Sequence, residues 1–239
     1  MQNRKKTAMF IAVAFFILAV LAAVVCLKGK DALPAAAGAE ADDGKMPAYE
    51  RLLNLLSGKE DGAEEGVRGA AGTYAGNEYK NERFGISVVF DDGWYFFDSE
   101  TREAITANTY GMAGKEDIGE SIYDLYAGKK EEGKSISMVI DDCRLIFGKE
   151  LSEEEYLKET EKALASKDMK EMGYSDMSIS CGTSDMAGKS HACMDAESTI
   201  EGRKICQKFI AIKDKELMML ITMTAPEKKD IEDMKALFR

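Results

Sequence analysis

Tyr79–Phe97 reads YKNERFGISVVFDDGWYFF, and its reading decides the fold. Ile86, Val88 and Phe90 alternate with Ser87 and Val89, the period-2 pattern of a strand with one buried face. Asp91-Asp92-Gly93 supplies turn chemistry, since Asp side chains bond their own backbone and Gly tolerates positive φ. A second strand is expected over Trp94–Phe97, so the stretch predicts a hairpin. Strand alternation puts Trp94 and Phe96 on one face and Tyr95 and Phe97 on the other. Trp94, the only tryptophan, is expected to be a structural anchor of the core.

Downstream of this hairpin, Ser99–Thr109 reads as a helix with Ser99 as its N-cap. Strands are expected at Ser121–Ala127 and Ser135–Asp141. Ser152 and Glu155 form a capping-box pair, and Leu151 with Tyr156 can make the accompanying hydrophobic staple. The helix they open carries Tyr156, Leu157, Thr160, Ala163 and Leu164 on one face, with Gly173 as its stop. Four strands follow, at Asp176–Thr183, Lys189–Ile200, Arg203–Ile212 and Glu216–Thr224. Their turns fall at Ala187-Gly188, Glu201-Gly202 and Asp214-Lys215. Pro226 opens a last helix with Ile231, Met234, Leu237 and Phe238 on one stripe. Consecutive hairpins with helices between them predict an α+β domain built on a mainly antiparallel sheet, spanning residues 79–239.

That order of elements, with Phe84-Gly85 and Gly93-Trp94, resembles the PsbP-like α-β-α sandwich. More closely, it is similar to membrane-anchored or lipoprotein-like extracytoplasmic proteins of Gram-positive bacteria with that architecture. Such families often carry a proline two residues before the Gly-Trp, where this chain has Asp91. The resemblance implies a fold and a binding or accessory role, and it transfers no catalytic residue.

Upstream, Ala8–Leu27 reads AMFIAVAFFILAVLAAVVCL without a charge. As a helix it reaches about 30 Å, enough for a bilayer core. Arg4, Lys5 and Lys6 before it favour a cytoplasmic N-terminus. Residues 1–28 are therefore expected to be a cytoplasmic tip and retained transmembrane anchor, with the membrane a partner through residues 8–27. The alternative is a lipoprotein anchored at Cys26. Residues 29–78, rich in Ala, Gly and Glu, read as a flexible stalk. Within it, Tyr49, Leu52, Leu53, Leu55 and Leu56 predict a short amphipathic helix near 47–57.

Composition narrows the partners. A net charge of -11 argues against nucleic acid, which needs a basic face. His191 is the only histidine, so a His-rich zinc site or a serine–histidine–acid site would rest on one ring. The pairs Asp91-Asp92 and Asp141-Asp142 have the chemistry to hold a hard cation, but turn solvation and a strand end explain them as well. Met218, Met219 and Met223 read as core. No catalytic, cofactor-binding or metal residue is assigned.

Outside the span lie Cys143, Cys181, Cys193 and Cys206. A two-residue turn at Glu201-Gly202 sets Cys206 opposite Glu197, roughly 13 Å along the strand from Cys193 and too far for a bond. Cys181 and Cys193 fall opposite one another if the Ala187-Gly188 turn changes by one residue. A Cys181–Cys193 disulfide and four free thiols are thus both open.

The function expected is a membrane-anchored, extracytoplasmic, non-catalytic binding or accessory module. One alternative is a cell-envelope enzyme whose acidic site assembles in three dimensions. The other is a self-associating structural envelope protein, driven by the Tyr49–Leu56 helix.

Overall fold

The computed structural model describes residues 66–103, 121–165, 173–200 and 202–239. The predicted anchor, most of the stalk and the amphipathic helix near 47–57 lie outside them. Among the described residues no helix is long and apolar enough to cross a membrane.

The architecture is α+β, mainly antiparallel. A small sheet holds β1 (Thr73–Ala75), β2 (Glu78–Asn81) and β3 (Ile86–Val89) in that order. A seven-stranded sheet is built from β4 (Tyr95–Phe96), β5 (Ser121–Lys129), β6 (Lys134–Asp142), β7 (Tyr174–Met186), β8 (Lys189–Ile200), β9 (Arg203–Asp214) and β10 (Leu217–Ala225). Its order is β4-β5-β6-β10-β9-β8-β7, and every pairing is antiparallel. The α-helices with both ends among the described residues are α1 (Cys143–Phe147), α2 (Glu153–Leu164) and α3 (Lys228–Lys235), and residues 99–103 are helical as well.

The large sheet is covered on both sides, which explains why β10 reads LMMLITMTA rather than alternating cleanly. On one face, Tyr156, Leu157 and Leu164 of α2 pack with Met194, Phe209 and Met218. On the other, Ile231 and Met234 of α3 and Tyr79, Ile86 and Val88 of the small sheet pack with Ile210, Met219 and Ile221. Met218, Met219 and Met223 are fully buried, Met218 on one face and the other two on the opposite one.

Several expectations need correction. The predicted hairpin of Ile86–Phe90 with Trp94–Phe97 does not close; within the stretch it is β2 that pairs with β3, Asn81 opposite Ile86. The predicted first strand is β3 of the small sheet, and the second, reduced to Tyr95–Phe96, pairs with Ala127 and Gly128 of the large one. Asp91-Asp92-Gly93 therefore carries the chain between layers. Trp94 sits in that crossing, half-buried, with its ring edge-on to Phe90 at 5.2 Å. Phe96 meets the same Phe90 ring at 4.9 Å. The tryptophan packs at the rim of the core, because its two neighbouring strands belong to different sheets.

The ordered unit also starts ahead of Tyr79. Val67 and Ala70 are buried, and β1 pairs with β2. A Gly- and Ala-rich composition reads as linker, yet small residues suit a segment lying close against an aromatic ring. At the other end, Leu237 and Phe238 do not extend the last helix. They leave α3 and run beside β3: Val89 N–H donates to Leu237 O at 3.3 Å, and Arg239 N–H donates to Ser87 O at 2.9 Å. The mid-chain helix ends at Leu164 with Ala165 as its C-cap, well before Gly173.

The Cys181–Cys193 bond does not form, and the cysteines of the described residues are free. The Ala187-Gly188 turn keeps two residues, so Met186 pairs with Lys189, Cys181 faces Met194, and Cys193 faces Gly182. That register turns Cys181 to the exterior and Cys193 into the core. Glu197 does pair with Cys206, as the two-residue turn requires.

Candidate functional site

The most concentrated polar cluster surrounds Asp124. A bulge interrupts β5 between Tyr123 and Leu125, and the extra residue it accommodates is this aspartate, 3% exposed. Its carboxylate accepts the Gly72 N–H at 2.9 and 3.0 Å, Asn81 Nδ2 at 3.0 Å, and the Tyr79 hydroxyl. The Tyr74 hydroxyl donates to the backbone oxygen of the same residue. Asn81 also donates to Ala70 O at 2.8 Å. Arg102 lies 4.7 Å from the centroid of the Tyr74 ring. Gly72 must be glycine here, because a Cβ would stand 2.6 Å from the Tyr79 ring.

Burial raises the Asp124 carboxyl above the usual range, while the bonds from Tyr79, Gly72 and Asn81 pull it back. Burial likewise raises Tyr79, and the neighbouring carboxylate raises it further, so the phenol keeps its proton and donates. The cluster consumes its own donors. It fastens the small sheet to the large one.

A second buried acid, Asp141, accepts the hydroxyl of Tyr156 from α2. Cys143 stands nearby, its thiol pushed up to about 12 by burial first and by Asp141 and Asp142 second. Asp142 serves differently, as the N-cap of α1, where it accepts from Arg144 N at 2.9 Å and Leu145 N at 3.1 Å. The Asp141-Asp142 pair is thus divided between a helix contact and a helix cap. Asp91 is exposed and meets Lys129 at 3.3 Å. Among the described residues no three His, Cys, Asp or Glu side chains cluster to hold a metal ion.

His191 belongs to a third constellation. Glu153, the first residue of α2, accepts the Ala192 N–H at 2.9 Å and the Lys213 N–H at 3.2 Å. The same carboxylate meets His191 Nδ1 at 2.9 Å. The paired register of β8 and β9 runs only as far as Cys193 with Ile210. Beyond it, the carboxylate takes amides from both strands where their own ladder has parted.

A further site is a groove of about 440 Å³ where β9 begins and β10 ends, beside the β5–β6 turn at Gly133. Apolar Ile205, Ala225 and Pro226 line it together with Arg203, Lys204, Thr224 and Glu227. Glu197 of β8 bonds both Lys204 and Lys228, and these two bonds hold its carboxyl down at about 2. The groove's lining contains neither histidine nor cysteine. The arrangement can take up an apolar group and meet a polar one with Arg203, Lys204 or Glu227.

Of the residues singled out in the sequence, Pro226 lines this groove, whereas Trp94, His191, the aspartate pairs, the cysteines and Met218, Met219 and Met223 do not. Asp124 stands in plain view as a lone acid in an otherwise apolar strand, and that mismatch is the readable signal of a buried partner set. Glu153 and the groove leave no such trace, since their neighbours lie far apart along the chain.

No protein-family model and no curated protein matches the chain. Among solved structures, it is similar to cyanobacterial PsbP (CyanoP) from Synechocystis sp. PCC 6803, at 10% identity over 75% of this chain and 97% of that one, with a TM-score of 0.43. It is also similar to LpqN of Mycobacterium tuberculosis, described as involved in cell envelope biogenesis, at 10% identity over 64% and 81%, TM-score 0.36. A Bacteroides thetaiotaomicron structure matches at 12% identity over 70% and 48%, TM-score 0.33. The PsbP-like resemblance read from the sequence is thus met again among solved structures. With TM-scores below 0.5, these likenesses carry no functional argument.

Proposed function

We propose that this chain is a single-span, membrane-anchored extracytoplasmic module that binds a ligand or partner and performs no catalysis of its own. The observation that carries the reading is the groove at the β9–β10 end, apolar in much of its lining and bordered by Arg203 and Lys204. The buried acids support it from the other side. Asp124 and Asp141 are each taken by a separate tyrosine, in bonds that join one element to another. The uncharged run at 8–27 and the basic residues before it support the anchored placement, with the domain outside the cell.

Two measurements test this. Protease added to intact protoplasts should degrade the domain, and full protection would overturn the placement. For the groove, p-benzoylphenylalanine replaces Arg203 in the full chain in its native host, with Lys149 replaced likewise as a control. Irradiation is expected to give a discrete adduct at 203 that is absent at 149. Identical adducts at both positions, or none at 203, would sink the binding role of the groove.

A further inference from the structure

The groove at the β9–β10 end sets apolar surface from Ile205, Ala225 and Pro226 beside charges of both signs. Lys204 is already committed, because Glu197 holds its ammonium together with that of Lys228. Arg203 and Glu227 are not. Both are exposed, and among the described residues neither side chain forms an ion pair or a hydrogen bond. Glu227 is the N-cap residue of α3, yet it makes no side-chain cap bond there.

The groove also offers a buried donor. Arg203, Ile205 and Gln207 alternate along β9 and share a face, and Thr224 lies opposite Gln207. Thr224 Oγ1 accepts Gln207 Nε2 at 3.1 Å. That bond uses a lone pair of the hydroxyl and leaves its proton to donate.

We propose that the groove takes a small zwitterion with an apolar side chain, a free amino acid or a short peptide, its carboxylate on Arg203 and its ammonium on Glu227. This rests on the groove being the binding site. A guanidinium meets a carboxylate with two parallel N–H donors, and the Thr224 hydroxyl adds one for the carboxylate or a peptide carbonyl. An ammonium carries three donors and no acceptor, which the Glu227 carboxylate satisfies. Charge decides against simpler classes. A purely anionic compound would bring its charge to Glu227 as well as Arg203, and a purely cationic one would meet the guanidinium. One charge of each sign suits both. The volume of about 440 Å³ falls within the roughly 300–1,000 Å³ usual for small-molecule sites.

The test is equilibrium dialysis of the full chain in detergent micelles against labelled L-leucine and Leu-Leu, with empty micelles as the blank. Retention of at least one is expected; leucine points to a free amino acid, and the dipeptide alone to a peptide. Capping the retained probe by N-acetylation or by C-terminal amidation should weaken it about tenfold or more. The penalty for amidation should disappear in Arg203→Gln, and that for acetylation in Glu227→Gln. Both side chains are exposed, so both variants should keep the parent's melting temperature. Retention of neither probe, or a capping penalty that persists in its matching variant, would overturn the proposal. A photo-adduct at position 203 without retention of either probe rejects the zwitterion and leaves the binding role of the groove standing. No adduct and no retention together remove both.

Discussion

At the level of single residues, Asp124 shows how one acid can hold two layers together and leave a pH signature. Its folded carboxyl titrates above its unfolded value, chiefly through burial. The native state therefore holds that proton more tightly than the unfolded chain. The contribution is full below the unfolded carboxyl range, about pH 4, and is lost as pH rises through the folded value. Asp124→Asn should destabilise by about 1–3 kcal/mol, because an amide nitrogen would then face the donors of Gly72, Tyr79 or Asn81. The gap between parent and variant in urea unfolding should narrow as pH rises. A gap that widens with pH would contradict this assignment. Trp94 was legible as a packing residue but not as a rim residue, since alternation along YFF assumed that both flanking strands shared one sheet.

Among the elements, α2 was the most readable. Its capping box is present, with Glu155 N–H donating to Ser152 Oγ at 3.2 Å and Ser152 N–H to Glu155 Oε2 at 3.0 Å. That signal is local, and a local signal survives whatever the rest of the chain does. The neighbouring Glu153 is the opposite case. It reads as one more acid in a first turn, yet it captures amides from two strands some 39 and 60 residues away. Glu153→Ala should speed hydrogen exchange at the Ala192 and Lys213 amides, while Glu154→Ala leaves both unchanged. Equal exchange in the two variants would mean that the strand ends are held by something else. The β7–β10 order was readable for a similar local reason, because short turns fix the register between adjacent strands. β1, only three residues long and exposed throughout, offered no periodicity to read.

For the molecule as a whole, class and strand direction were legible, but the division into two sheets was not. It depends on where Tyr79, Ile86, Val88 and Phe90 find their partners, and those partners lie on β5, β6, β9 and β10. The run of Leu237–Arg239 beside β3 has a further consequence, and it concerns the order of folding. Ser87 and Arg239 are 152 residues apart, and the loop they close contains the whole large sheet. Contacts at such separation form slowly, because the intervening chain must first be ordered. β3 should therefore be among the last strands to be secured. In pulse-labelled refolding, the Ser87 and Val89 amides are expected to gain protection after those of β8 and β9. Between those two times the domain would hold a nearly complete large sheet with β3 still bare along one side, and that interval is when it is most exposed to mispairing with a neighbour.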